Sequence, residues 1–430
     1  MGFPEHGRSR VVIERVAPQI DGGRFPIKRA VGESVTVEAD AFCDGHDVVS
    51  AVLLHRADSA SRWTETPMTP LVNDRWRAEF TVAALERYHY TVLAWINPFA
   101  SWQRDLRKRV AAQQDVALEL LVGAELVDQA AAAAQSSDRD VLDGYAARLR
   151  EPGGALRAAS LADDARLAEL MFRHAPRAFA TQFGRELAVS VDRERAAFSA
   201  WYEMFPRSAA PEPRHGTLRD VEARLPYVAA MGFDVLYLPP IHPIGRSFRK
   251  GPNNATVAAA GDPGSPWAIG GEEGGHKAVH PELGTLDDFR SLMRAAERHG
   301  LELAMDIAFQ CSPDHPYVAE HPEWFRRRPD GSIQYAENPP KKDQDIYPFD
   351  FECEAWESLW EELRSIFLYW AGEGVQIFRV DNPHTKPFPF WEWVIAEVRR
   401  EHPGALFLAE AFTRPKIMYR LAKLGFTQSY

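Results

Sequence analysis

From residue 200 onward the chain repeats one pattern, in which a short apolar segment is followed by a loop and an amphipathic helix. The segments that fit strands are 200–205, 233–238, 301–307, 375–381 and 406–410, and a sixth starts at 426. Repeated units of this kind build a parallel barrel with its active site at the carboxyl ends of the strands. The pattern predicts an α/β fold over 200–430, an incomplete (β/α)8 TIM barrel with about five complete strands. The loop-rich segment 311–350 predicts an inserted subdomain, since loops this long are usually functional.

Two other patterns precede the barrel. Short alternating apolar runs over 10–112, separated by turn residues, predict an all-β, immunoglobulin-like sandwich. Residues 113–182 are rich in Ala and Leu with apolar residues at helical spacing, which predicts a helical bundle. Alternation returns over 183–199, so we expect this segment to complete the sandwich and the bundle to be an insertion in it.

Two acidic residues follow consecutive predicted strands, Asp381 in GVQIFRVDNPH and Glu410 in ALFLAEAF. Arg379 precedes Asp381 by two residues, so both side chains point to the same side of the strand, where the guanidinium orients the carboxylate and keeps it ionised. Such a pair suits retaining chemistry on sugars, with Asp381 as nucleophile and Glu410 as proton carrier. The alternative is that these acids only cap the helices that follow.

Composition argues against several classes of protein. A formal charge of −11 and a pI near 5.7 disfavour nucleic acid as a partner, although local lysines can oppose a small phosphorylated ligand. Three widely spaced cysteines indicate neither a disulfide framework nor a zinc site, and the histidines match no metal-ligand spacing. The N-terminus lacks the apolar core of a signal peptide, and no stretch suits a membrane span. We expect a cytoplasmic protein with no cofactor, metal or membrane partner.

Five motifs carry a family resemblance between about Trp201 and Tyr430. They are HPIGRSFRKGPNN, HPELGTLDDF, NPPKKDQDIYP, FRVDNPHTK and LAEAFTRP, in this order. Together they resemble the α-amylase superfamily, glycoside hydrolase family 13, and within it the GlgE-type maltosyltransferases. The resemblance implies the same roles for Asp381 and Glu410 that their positions suggest.

The resemblance also implies a set of substrate contacts. These are Lys250, Gln310, Asp345 and Asn382, with Asn338 and Lys341 near a phosphate. Asp343 stands where the family usually has Tyr, and a carboxylate near a bound phosphate costs repulsion unless it points away.

The implied reaction is retaining transfer of maltosyl units from α-maltose 1-phosphate to the non-reducing end of α-1,4-glucans, with release of phosphate, in glycogen or α-glucan biosynthesis. The resemblance further implies a homodimer when the protein is full length. Five complete strands cannot close an eight-stranded barrel, so we expect a C-terminally truncated fragment that is inactive and poorly soluble alone. Two alternatives stay open, a retaining α-glucan hydrolase with water as acceptor and a non-catalytic glucan-binding scaffold.

Overall fold

A computed structural model of the protein describes residues 2–3, 6–152 and 155–430. The chain divides into two units, Met1–Val191 and Asp192–Tyr430. Among the described residues, no helix combines the length and the apolar character that crossing a membrane requires.

In the described part of the first unit, the strands form two antiparallel sheets. Its strands are β1 (Val11–Ala17), β2 (Ile27–Ala30), β3 (Ser34–Cys43), β4 (Val49–Ala57), β5 (Thr64–Pro67), β6 (Thr69–Pro70), β7 (Arg75–Thr81), β8 (Tyr88–Ile96), β9 (Thr181–Gln182) and β10 (Leu187–Asp192). One sheet has the order β1-β3-β7-β6, and the other has the order β2-β10-β8-β4-β5 with β9 beside β8. Alternate residues of β3, such as Val35 and Val37, share one core with Val92 and Ala94 of β8. The two sheets therefore form the expected β-sandwich.

Between β8 and β9, the described residues form five helices. They are α1 (Pro98–Ala111), α2 (Ala117–Ala133), α3 (Ser136–Arg150), α4 (Ala155–Ala162) and α5 (Ala165–His174). The first helix lies inside the range predicted for the sandwich, so the helical region begins earlier than residue 113. The Asn97 side chain accepts a hydrogen bond from the backbone N–H of Ala100 and caps α1, and Phe99 and Trp102 then enter the core of the bundle. After the bundle, β10 returns to the sandwich beside β8.

The second unit alternates strands and helices. Its elements are α6 (Glu194–Ala197), β11 (Trp201–Glu203), α7 (Leu218–Ala230), β12 (Val235–Leu238), α8 (Leu286–Arg298), β13 (Glu302–Ile307), β14 (Gln310–Cys311), α9 (Pro316–Glu320), β15 (Ala336–Asn338), β16 (Lys341–Asp343), β17 (Tyr347–Pro348), α10 (Trp356–Gly372), β18 (Ile377–Val380), α11 (Phe388–Glu401), β19 (Leu406–Ala409), α12 (Pro415–Lys423) and β20 (Gln428–Ser429). Six strands form one parallel sheet in the order β11-β12-β13-β18-β19-β20. The predicted α/β half-barrel is confirmed.

Helices cover the outer face of this curled sheet because their apolar stripes match it. In α10, Leu363, Phe367 and Trp370 are fully buried against the strands, so these aromatic residues belong to the core. Capping boxes at Thr217 and Thr285 fix the starts of α7 and α8. Short paired strands interrupt the connection after β13, where β14 pairs with β17 and β15 with β16. These strand pairs lie in the part of the chain for which the sequence predicts an inserted subdomain.

Candidate active site

Three neighbouring strands bring acidic side chains to one edge of the half-barrel. Asp306 lies near the end of β13 and pairs in register with Arg379 of β18. The sheet hydrogen bonds continue one residue beyond the strands, since the N–H of Asp381 donates to Ile307 (2.9 Å) and that of Glu410 donates to Val380 (3.0 Å). Asp381 and Glu410 are thus held by backbone bonds of the sheet itself, which suits a site that needs fixed geometry.

The Arg379 guanidinium joins the acidic groups. Its Nη1 donates to Asp381 Oδ1 at 2.8 Å and to Asp306 Oδ2 at 2.9 Å, while its Nη2 lies 3.1 Å from Glu410 Oε1. The structure therefore brings Asp381, Glu410 and Arg379 together as the sequence pattern predicts. Arg379 is only 7% exposed, so water screens these charges weakly.

Sequence reasoning missed two members of this cluster, Asp306 and Tyr237. Asp306 is completely buried, and it accepts a hydrogen bond from the Tyr237 hydroxyl as well as the bond from Arg379. The Arg379 guanidinium also lies over the Tyr237 ring, 5.6 Å from its centroid. The sequence contained a signal for Asp306, which is an acid within the apolar run 301–307. A charged residue inside a buried strand needs a partner, so its position indicates a specific contact.

Asn382 connects the two carboxylates. Its backbone N–H donates to Glu410 Oε2 and its side-chain amide donates to Asp381 Oδ2, both at 3.2 Å. The residue has a left-handed backbone with φ 41° and ψ 54°, which non-glycine residues rarely adopt. The Lys386 ammonium donates to the carbonyls of Asp381 (3.4 Å) and Asn382 (3.2 Å) and so supports this backbone conformation.

Burial and charge set the protonation of the acids. Burial raises the pKa of Glu410, the Arg379 guanidinium opposes that rise, and the nearby Asp381 carboxylate adds to it. Burial also raises the pKa of Asp306, again opposed by Arg379. A carboxyl group with a raised pKa beside an arginine-bound carboxylate fits the division into a proton carrier and a nucleophile.

A second group of predicted residues surrounds Lys250, in the loop after β12. Lys250 is 7% exposed, and its ammonium lies 3.4 Å from Asp343 Oδ1 in β16. Lys341 of the same hairpin lies 3.7 Å from Asp343 Oδ2. Burial raises the pKa of the nearby Asp345 carboxyl, and the positive charge of Lys250 opposes this rise. Lys250, Lys341, Asp343 and Asp345 thus form one cluster of two lysines and two acidic side chains.

Gln310 and Asn338 lie at the borders of this second group. The Gln310 side-chain amide donates to the carbonyl of Trp267 at 3.1 Å, and Trp267 lines a cavity of about 420 Å³ together with Lys250 and Arg207. Asn338 is exposed on β15, opposite Lys341 in the hairpin register. Gln310 therefore contacts a residue that lines the same cavity as Lys250, and Asn338 lies opposite Lys341 in the β15–β16 pair.

A buried group of His276, His315 and Cys311 has the residue types of a metal site. His276 Nε2–H donates to the carbonyl of Ala308 and its Nδ1 accepts from His315, whose Nδ1 in turn accepts from the N–H of Tyr317, each at 3.0 Å. These bonds occupy the nitrogen lone pairs that a metal would need. Burial lowers the pKa of both histidines to about 3 and raises that of the Cys311 thiol, so the two histidines form a neutral hydrogen-bonded pair beside a neutral thiol.

A curled parallel sheet with carboxylates around one arginine at its carboxyl edge defines an α-amylase type of barrel protein. The α-amylase catalytic domain family matches residues 176–386, and the α-1,4-glucan:maltose-1-phosphate maltosyltransferase domain N/S family matches residues 9–193. A solved α-amylase from Lactobacillus plantarum is 30% identical, with a TM-score of 0.43, over 53% of this chain and 48% of its own.

Two curated relatives carry the name α-1,4-glucan:maltose-1-phosphate maltosyltransferase. The protein from Chlorobaculum tepidum is 54% identical over 99% of this chain and 64% of its own length. A protein from Cereibacter sphaeroides is 52% identical over 98% of this chain and 71% of its own length. The chain belongs to the α-1,4-glucan:maltose-1-phosphate maltosyltransferase family, which confirms the resemblance, and it spans 64% of the first of these relatives.

Proposed function

We propose that a polypeptide of the relatives' length, of which this chain forms a part, transfers maltosyl units from α-maltose 1-phosphate to the non-reducing end of α-1,4-glucans with retention of configuration. The observation that carries this proposal is the shared guanidinium, since Arg379 contacts both Asp381 and Glu410. A double-displacement mechanism requires two carboxyl groups in one small site, with different environments.

In the first step, Asp381 attacks C1 of the donor's reducing-end glucose. The bond between C1 and the phosphate oxygen breaks, its electron pair leaves with the phosphate, and protonated Glu410 assists departure. In the second step, the acceptor's 4-hydroxyl attacks C1, Glu410 takes its proton, and the Asp381 carboxylate leaves with the electrons of the ester bond. Three acidic side chains around one arginine favour the positive charge that develops on the sugar ring.

The leaving group in this proposal is a phosphate, and the lysines support that choice. Lys250 and Lys341 approach one point from different segments, where they could pair with phosphate oxygens. We assign Gln310, Asp345 and Asn382 to contacts with the sugar. Asn338, beside Lys341 in the hairpin register, is assigned to the phosphate end.

The test is phosphate release by a polypeptide of the relatives' length, with maltose 1-phosphate in the presence or absence of a linear maltooligosaccharide. We expect release that depends on the acceptor, and its loss by a factor of at least about 10³ in Asp381→Asn. Glu373→Gln, which removes a carboxylate at the end of α10 that pairs with Arg290 and not with the acidic cluster, is the matched control and should keep full activity. Release of phosphate and free maltose without acceptor would instead identify a hydrolase.

We also propose that the enzyme acts in the cytoplasm, in α-glucan biosynthesis, as a homodimer. Three free cysteines support a reducing compartment. An apolar stripe on α2, formed by Leu118, Leu121 and Val122 at helical spacing and exposed, supports self-association. Sedimentation of Leu121→Asp at micromolar concentration tests the dimer, which this charge should dissociate; an unchanged dimer would place the interface elsewhere.

A further inference from the structure

One carboxylate occupies the point at which two lysines converge. Asp343 Oδ1 lies 3.4 Å from Lys250 Nζ, and Asp343 Oδ2 lies 3.7 Å from Lys341 Nζ. Lys250 comes from the loop after β12, whereas the other two residues belong to β16. Lys250 Nζ also donates to the backbone carbonyl of Lys342 at 3.1 Å. The carboxylate therefore bridges two segments that are far apart in the sequence.

The two lysines differ in what they gain from this contact. The side chain of Lys341 is 62% exposed, so water screens its attraction to Asp343. That of Lys250 is 8% exposed, and a buried ammonium is stable only when a counter-charge and hydrogen bonds replace its water. Asp343 is the carboxylate in contact with Lys250, and Asp345 contributes a second negative charge nearby. Asp343 thus supplies Lys250 with the counter-charge that a bound anion would otherwise supply.

Two cavities are lined by Lys250. One of about 280 Å³ is lined by Lys250, Lys341 and Phe248, among others, and the cavity of about 420 Å³ beside Trp267 also reaches Lys250. A phosphate that enters either space meets the Lys250 ammonium, which Asp343 already contacts, and in the smaller cavity it also meets Lys341. Like charges at such separations repel, so the anion and the carboxylate compete for the lysines.

We propose that Asp343 is an internal competitor for the phosphate group of the donor. In the free protein it pairs with Lys250 and Lys341, and a phosphate binds as the carboxylate side chain turns away from them. This inference rests on the proposed function for the identity of the anion. This competition weakens binding of the donor phosphate and of the phosphate product equally. Weaker binding of the product favours release of phosphate after the first step.

The test compares wild type with Asp343→Asn in a polypeptide of the relatives' length. Titration calorimetry with inorganic phosphate measures anion binding directly, and the KM for maltose 1-phosphate measures it in the reaction. We expect Asp343→Asn to bind phosphate about five- to tenfold more tightly, with a lower KM for maltose 1-phosphate and an unchanged KM for the glucan acceptor. Glu337→Gln is the matched control, because Glu337 lies in the same hairpin and pairs with Arg328, and it should leave phosphate binding unchanged.

Lys250→Met separates competition from simple support of the loop. It should weaken phosphate binding in both the wild-type and the Asp343→Asn background, because the lysine is the group for which the two anions compete. Unchanged or weaker phosphate binding by Asp343→Asn would overturn the inference and make Asp343 a support for Lys250, while leaving the transfer reaction intact. Tighter phosphate binding together with no maltosyl transfer would instead refute the proposed reaction and uphold the competition.

Discussion

Replacement of Arg379 with Met removes the cation that three buried or half-buried acids share. Loss of one partner from a buried ion pair typically costs about 3–5 kcal/mol, because the remaining charge has lost its compensation. Asp381 is only 7% exposed, so its carboxylate cannot recover that energy from water. We expect the free energy of unfolding of Arg379→Met to be lower than that of wild type by roughly 3 kcal/mol at pH 6.

The loss of unfolding free energy caused by Arg379→Met should grow at higher pH. Burial raises the pKa of Asp306 to about 7, above its unfolded value of about 3.9, so its contribution to stability is complete at low pH and disappears as the pH rises to 7. Without Arg379, which lowers this pKa, the decline continues above pH 7 at about 1.4 kcal/mol per pH unit. The difference between variant and wild type should therefore increase by roughly 2–3 kcal/mol between pH 7 and pH 9.

Urea denaturation at pH 6 and pH 9 measures both quantities. Arg290→Met is the control, because the Arg290 side chain that pairs with Glu373 is 44% exposed, against 9% for that of Arg379, and its removal should cost about 1 kcal/mol or less at either pH. A loss below about 1 kcal/mol for Arg379→Met at pH 6, or an equal loss at the two pH values, would refute the view that this guanidinium compensates buried acids.

Three further predictions concern single contacts, each measured as a change in the free energy of unfolding. Tyr237→Phe removes the hydroxyl that donates to Asp306 and should cost about 1–3 kcal/mol; no loss would mean that Asp306 is satisfied without it. Gly144→Ala, in the exposed interior of α3 with open space around it, should stabilise by roughly 0.5–1 kcal/mol. Gly123→Ala should destabilise, because its Cβ would overlap the Trp102 ring; equal effects of the two alanines would contradict this account of packing.

The pattern of apolar segments was enough to predict the half-barrel and the meeting of Asp381 with Glu410. Strands buried on both faces read as continuous apolar runs, and an acid directly after such a run lies at the carboxyl edge of the sheet. The placement of Arg379 followed from the two-residue period of a strand. These features depend on sequence neighbours, which is why they are visible without a structure.

Other features depend on contacts between distant segments. The pairing of Lys250 with Asp343 joins a loop residue to a strand about 90 residues later, and their charges alone do not indicate which lysine the carboxylate selects. The hydrogen bond between Tyr237 and Asp306 requires the register of two parallel strands. The early start of α1 had a local signal, Asn97 followed by Pro98, but the apolar alternation before it extended the predicted sandwich too far.

The double attachment of Asn382 has a mechanical consequence for any ligand of this edge. Since its main chain holds Glu410 and its side chain holds Asp381, outward displacement of one acid strains the other through a single residue. The separation of the two acids is therefore fixed by Asn382, and the hydrogen bond from Lys386 to the Asn382 carbonyl supports that residue's conformation. In the proposed reaction, the sugar ring therefore has to fit a separation that the backbone and side chain of Asn382 set in advance.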